Sequence, residues 1–235
     1  MKGTIGILGG MGPEATVYMF DLIVRLTDAE KDQDHIPVII YNNPHIPDRT
    51  RAIRENGQSP LKMLIHGAKL LEKSGASFII MPCVTAHYLY YEIKKNIKIP
   101  FLHLIEETFE YIKENFSNFK KIGLLATDGT LSAALFHKYC RIYNIDIVLP
   151  DKKNQKKFMD TIYGEQGIKA GYKIIQKRTM IRIVEDLIEK KAQAIIMGCT
   201  EIPLILKGND VTIPLIDPLE IIAKKSIIKA NVENI

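Results

Sequence analysis

The chain has 235 residues, 46% hydrophobic and 25% charged, with a formal net charge of +5. It is long enough to bury a core in one large domain or two small ones, and no apolar run approaches the roughly 20 residues of a membrane-crossing helix. The one basic cluster, Lys152, Lys153, Lys156 and Lys157, stands beside no recognition motif and reads as solvated surface, so neither nucleic acid nor a membrane is an expected partner.

Thr4 to Leu8 is an apolar run ending in glycines, which predicts a buried parallel strand. Pro13 suits the first turn of a helix to about Arg25. Val38 to Tyr41 is a second strand, and Pro60 opens a helix to about Lys73, stopped by Gly75. Phe78 to Met81 is a third strand, ending at Pro82 and Cys83, with a helix after it to about Lys95. Pro100 to Leu102 is a fourth strand, with a helix to about Asn115.

The pattern then restarts. Lys121 to Leu125 is a strand, followed by a helix to about Tyr143 and a strand from Ile145 to Leu149. Met180 to Lys190 predicts a helix and Ala194 to Met197 a strand ending at Gly198 and Cys199. A last strand, Ile213 to Ile216, precedes a C-terminal helix beginning near Pro218. Strands alternating with helices imply an α/β fold with parallel sheets.

The restart is an internal repeat. Ile5-Gly6-Ile7-Leu8 matches Ile122-Gly123-Leu124-Leu125, and the run into Cys83 matches the run into Cys199. Gly6 precedes Cys83 by 77 positions and Gly123 precedes Cys199 by 76. The expectation is two similar Rossmann-like lobes related by a pseudo-twofold axis, with the active site in the cleft between them. Residues 1–103, joined by a C-terminal helix over 217–235, form the first lobe and residues 104–216 the second.

Ligands of open α/β sheets bind beyond the carboxyl ends of the strands, where both cysteines fall. Each precedes a threonine and residues able to start a helix, whose amide dipoles lower a thiol pKa and hold carboxylates. Racemisation needs a base on one face of a carbon and an acid on the other, and two facing thiols meet that need. Cys140, inside a helical stretch, reads as a small buried hydrophobe. Three well-separated cysteines point to free thiols in a reduced compartment, hence the cytoplasm. No HxxxH or CxxC grouping suggests a metal. Gly9-Gly10-Met11-Gly12 lacks the spacing of a dinucleotide loop or a Walker loop, so no cofactor is expected.

Several motifs together resemble the aspartate/glutamate racemase superfamily over nearly the whole chain, most closely its aspartate racemase branch. They are Gly9-Gly10-Met11-Gly12-Pro13, Asn42-Asn43-Pro44, Pro47-Asp48-Arg49-Thr50, Met81 to His87, Leu124 to Thr127, Gly167 to Gly171, and Gly198-Cys199-Thr200-Glu201-Ile202-Pro203-Leu204. The resemblance implies interconversion of L- and D-aspartate without pyridoxal phosphate, and commonly a homodimer. Glutamate racemases carry His-Tyr where this chain has Glu201-Ile202, which favours the aspartate branch. By position, the resemblance makes Cys83 and Cys199 catalytic. Arg49 and Lys169 become cationic partners of an acidic substrate; Met11, Gly12, Thr85, Thr127 and Thr200 become donors to its carboxylates. His87 is expected to order the first cysteine loop rather than transfer a proton. Glu201 reads equally as a residue tuning Cys199 or as a capping carboxylate, and Tyr163 as loop packing.

One position departs from the pattern. The family has asparagine after the first cysteine and this chain has Val84, which can neither donate to a carboxylate nor accept from an ammonium. Weaker or altered substrate binding follows. The alternatives are a broader aspartate/glutamate racemase, a relative such as a maleate isomerase that uses cysteine as nucleophile, and a degenerate protein that only binds a dicarboxylate.

Overall fold

A computed structural model describes residues 2–232. The first half of the chain runs β1 (Ile5–Gly9), α1 (Pro13–Leu26), β2 (Val38–Asn42), α2 (Arg49–Arg54), α3 (Leu61–Lys73), β3 (Phe78–Ile80), α4 (Tyr90–Lys94) and α5 (Leu104–Asn115). The second half runs β4 (Lys121–Ala126), α6 (Asp128–Ser132), α7 (His137–Tyr143), β5 (Asp146–Val148), α8 (Lys152–Tyr163), α9 (Lys173–Glu189), β6 (Ala194–Gly198), β7 (Leu215–Ile216) and α10 (Pro218–Val232).

The strands form two parallel sheets, ordered β2-β1-β3 and β5-β4-β6-β7. β1 lies between β2 and β3 as β4 lies between β5 and β6, and a single parallel bridge from Ile79 to Phe101 stands where β7 pairs with β6. Every residue of β1, β3 and β6 is buried, as expected of strands covered by helices on both faces. The α/β repeat therefore appears as two Rossmann-like lobes. Residues 1 and 233–235 of the expected lobe boundaries lie outside the described residues.

Hydrophobic contacts join the lobes. One cluster draws on both sheets and on α1, α5 and α10, and includes Ile7, Met19, Phe109, Ile196 and Ile222. Two further clusters belong to one lobe each, around Leu64 and Ile79 and around Phe158 and Ile195. α10 packs on α1 and α5, and Gly3 N–H donates to Ala230 O at 2.8 Å, so the end of the chain returns to the first lobe. Among the described residues no helix is long and apolar enough to cross a membrane.

Several elements differ from the expectations. The basic cluster forms the exposed side of α8, capped by Asp151, whose carboxylate accepts from Asn154 N–H at 2.7 Å. Phe158 and Ile162, four residues apart, anchor the other side in the core. α9 begins at Lys173, not at Met180. The helix expected to run to Tyr143 breaks between α6 and α7, where Ala134 has φ +51°. After Cys83 the chain makes a 3₁₀ turn, Thr85–Leu89, before α4, and the strand expected at Pro100–Leu102 is reduced to the Phe101 bridge.

Candidate active site

The site is assembled from strand ends. β3 runs into Met81-Pro82-Cys83, where Cys83 N–H closes a tight turn on Met81 O at 2.8 Å. β6 runs directly into Cys199. Both thiols are free and 5% exposed. They line one small cavity with Met11, Arg49, Val84, Thr85, Thr127, Tyr163, Lys169, Thr200 and Glu201. Nine of the ten residues expected from the sequence are thus brought together. The tenth, Gly12, lines an adjoining outer pocket of about 360 Å³, which shares Met11, Arg49, Lys169 and Glu201 with the inner cavity. The inner cavity itself measures about 10 Å³, room for about one water.

Arg49 is the first residue of α2, whose cap is Asp48. Its guanidinium is buried and ties two loops together. Nη1 donates to Ile46 O at 3.2 Å and Pro47 O at 2.9 Å, and Nη2 donates to Met11 O at 2.9 Å. Nε is buried with no hydrogen-bond partner. Burial by itself would lower the arginine pKa; negative charge at Cys83, then Tyr163 and Asp48, reverses this and the net shift is upward. The loop that brings Met11 here turns at Gly10, with φ +99°, where a Cβ would lie 2.3 Å from Asn43 O. Only glycine tolerates both conditions.

Lys169 enters on a 3₁₀ turn, Ile168–Ala170, and pairs with Glu201. Its ammonium also sits 5.6 Å from the centre of the Tyr163 ring. Burial pulls its pKa down, but Glu201 and then Cys199 outweigh this, and the net shift is upward. Glu201 is 4% exposed. Its carboxylate accepts from Lys169 Nζ, from Cys199 Sγ at 3.0 Å and from Thr200 Oγ1 at 3.3 Å. Burial first, and Glu201 second, push the Cys199 thiol well above its ordinary value, with Lys169 opposing.

At Cys199 that direction corrects the expectation of helix amides that depress the thiol pKa. A single 3₁₀ turn, Ile202–Leu204, follows Cys199 in place of an α-helix. A short turn carries little dipole, and at Cys199 burial beside a carboxylate prevails.

Three hydroxyls join the lobes. Thr85 Oγ1 lies 3.0 Å from Thr127 Oγ1 and 2.8 Å from Thr130 Oγ1, and the last two are 3.2 Å apart. Thr127 also caps α6. His87 is buried between two backbone partners. Leu104 N–H donates to Nε2 at 3.2 Å, so Nδ1 carries the proton that it donates to Cys83 O at 2.8 Å. Burial lowers its pKa to about 3. A neutral ring held at both nitrogens orders the Cys83 loop. Cys140 lies elsewhere, its thiol pushed up to about 12 by burial. Among the described residues no three His, Cys, Asp or Glu side chains form a metal cluster.

Glu201, Tyr163 and Thr130 are not among the site residues expected from the sequence. Glu201 had one signal, its place two residues after Cys199. Tyr163 and Thr130 reach the site only through the packing of α8 and α6.

The sequence model of the Asp/Glu/Hydantoin racemase family matches residues 8–225. The chain is 31% identical over 227 residues to the broad specificity amino-acid racemase RacX of Bacillus subtilis, covering 95% of this chain and 96% of the relative. Its fold superposes on Picrophilus torridus aspartate racemase with a TM-score of 0.87 at 36% identity, covering 97% of this chain and 94% of that one. An aspartate racemase homologue from Pyrococcus horikoshii gives 0.78 at 26% identity, covering 98% and 99%. The chain belongs to the Asp/Glu/Hydantoin racemase family and is an amino-acid racemase.

Proposed function

We propose that the protein interconverts L- and D-aspartate by a two-base mechanism in which Cys83 and Cys199 address opposite faces of the α-carbon. The observation that carries this reading is the convergence of both thiols on one enclosed cavity, each from the end of an equivalent strand. One thiolate removes the α-proton, and the other thiol returns a proton to the opposite face. Arg49 and Lys169 supply positive charge to a dicarboxylate, and the hydroxyls of Thr85, Thr127 and Thr200 donate to its oxygens. With room for about one water, the inner cavity must enlarge to admit aspartate, and the outer pocket beyond Met11 and the Lys169–Glu201 pair is the approach. Closure over the substrate then excludes water and strengthens every electrostatic contact. The homodimer that the family implies belongs to the same proposal, and sedimentation equilibrium reads it.

A second reading, a broader amino-acid specificity, is favoured by Val84. This side chain lines the cavity, offers no polar atom to the substrate, and leaves the ammonium less tightly specified. The similarity to the Bacillus broad specificity racemase points the same way.

Proton NMR in D₂O under reducing conditions tests both. Exchange of the α-proton with inversion of aspartate, reduced at least ~10²-fold in Cys83→Ala and in Cys199→Ala, is the expected result. Comparable turnover of glutamate or neutral amino acids would establish the broader reading. No exchange with any amino acid would overturn both.

A further inference from the structure

Glu201 touches one catalytic thiol and not the other, so the two halves of the pseudo-symmetric site are electrostatically unequal. Cys199 Sγ lies 3.0 Å from Glu201 Oε2, in the geometry of an S–H donor. Deprotonating Cys199 there would set two anions in contact. Among the described residues Cys83 has no such carboxylate partner, and it shares its cavity wall with the Arg49 guanidinium. The titratable groups lining the cavity around Cys199 are Glu201, Lys169, Tyr163, Cys83 and Arg49. Lys169 is the cation that favours a Cys199 thiolate, but its ammonium is paired with Glu201 Oε1.

We propose that Glu201 keeps the proton on Cys199, which makes Cys199 the acid and leaves Cys83 to act as the base. This rests on the two-thiol reading above. Burial acts in the same direction, since it too disfavours charge on Cys199. In one turnover the substrate C–H bond breaks and an S–H bond forms at Cys83. The Cys199 S–H proton then moves to the opposite face of the same carbon. The substrate loses one proton and gains one, and the enzyme is left with a Cys83 thiol and a Cys199 thiolate. That form places the thiolate against Glu201. It returns to rest when Cys83 gives up a proton and Cys199 takes one up, by exchange with water. Glu201 is thus a positioning residue: it acts through Cys199 and biases the enzyme toward one of its two protonation forms.

The test is a thiolate ultraviolet titration of the full chain in a Cys83→Ser background, with and without Glu201→Gln. Subtracting the Cys83→Ser/Cys199→Ser curve removes the signals of Cys140 and the tyrosines. Glu201→Gln is expected to move the Cys199 titration down by about one pH unit or more, a tenfold loss of proton affinity. With both cysteines present, the alkaline limb of kcat/KM reports the thiol that must stay protonated, and it should move down in parallel. Glu201→Asp, with its carboxylate withdrawn by one methylene, should give a smaller shift and serves if Glu201→Gln does not fold. An unmoved Cys199 titration in the variant that folds overturns the proposal. Absence of racemisation in the unmodified protein would sink the two-thiol reading instead, and the titration separates the two failures.

Discussion

Thr85 and Thr127, from opposite lobes, place their hydroxyl oxygens 3.0 Å apart, and Thr130 completes the triangle. The contact couples the loop after Cys83 to the cap of α6. Thr85→Val keeps the shape of the side chain and removes its share of the triangle, leaving Thr127 and Thr130 to each other. The expected loss is about 1–3 kcal/mol, read as a lower urea midpoint with unchanged slope. Thr85→Ser should recover most of it. Equal midpoints for the valine variant and the wild type would show that the triangle is not a tie between lobes.

The lobes also meet at Gly129, where a Cβ would lie 2.7 Å from Thr50 Oγ1 and 2.9 Å from the Thr50 Cα. Gly129→Ala therefore cannot be absorbed by a flexible side-chain tip. α2 and α6 must separate, and the walls carrying Arg49 and Thr127 with them. Overpacking of this kind costs about 1–3 kcal/mol, and misplacing a reacting group by about 1 Å costs up to ~10²-fold in rate. A fall in kcat of ten- to a hundredfold is expected, with a larger radius of gyration by X-ray scattering and unchanged circular dichroism. Unchanged kcat would mean that this contact has no part in closing the site.

The equivalence of Cys83 and Cys199 was legible because buried parallel strands write themselves as short apolar runs, and the runs before Cys83 and Cys199 repeat. What depended on three-dimensional packing was not legible. Lys169 and Glu201 are 32 positions apart, so their pairing required the second lobe to be folded. α8 was hidden because four lysines mask a face held by only Phe158, Thr161 and Ile162. The first turn of α9 carries Ile174 and Ile175 on the exposed side, 90% and 60% accessible, so apolar periodicity places its start too late. The upward shift of the Cys199 thiol ran against the local cue of a following helix start, because burial and Glu201 act at closer range.

His87 makes stability depend on pH. Burial lowers its pKa from 6.5 to about 3, so the folded state holds it neutral where the unfolded chain protonates it. The unfolded state then binds more protons, and stability falls as pH drops from about 6.5 toward 3, by up to ~1.4 kcal/mol per pH unit. His103, lowered to about 4 by burial, adds in the same direction. His87→Asn can still donate to Cys83 O but leaves Leu104 N–H without its partner, which costs about 1–3 kcal/mol at neutral pH. Urea unfolding at neutral and mildly acidic pH should show wild type and variant converging as pH falls. A constant gap would mean that His87 titrates alike in the folded and unfolded chain.

Arg49 separates charge from geometry. Its guanidinium holds three carbonyls at 2.9–3.2 Å, including that of Met11 across from its own loop. A lysine ammonium keeps the charge but has no planar fork to span Ile46, Pro47 and Met11 together. If Arg49 acts only as a positive charge, Arg49→Lys should retain activity within a few-fold and Arg49→Met should lose it. The bonding pattern argues otherwise. Once the fork is lost, the Met11 loop loses its anchor, and the wall shared by the inner cavity and the outer pocket loosens. Arg49→Lys is therefore expected to lower kcat/KM by at least ~10²-fold, with Arg49→Met lower still because the buried charge beside Cys83 is gone. Limited proteolysis should cut both variants faster than wild type near Met11. A lysine variant with near-normal kcat/KM and an intact loop would reduce Arg49 to a counter-charge.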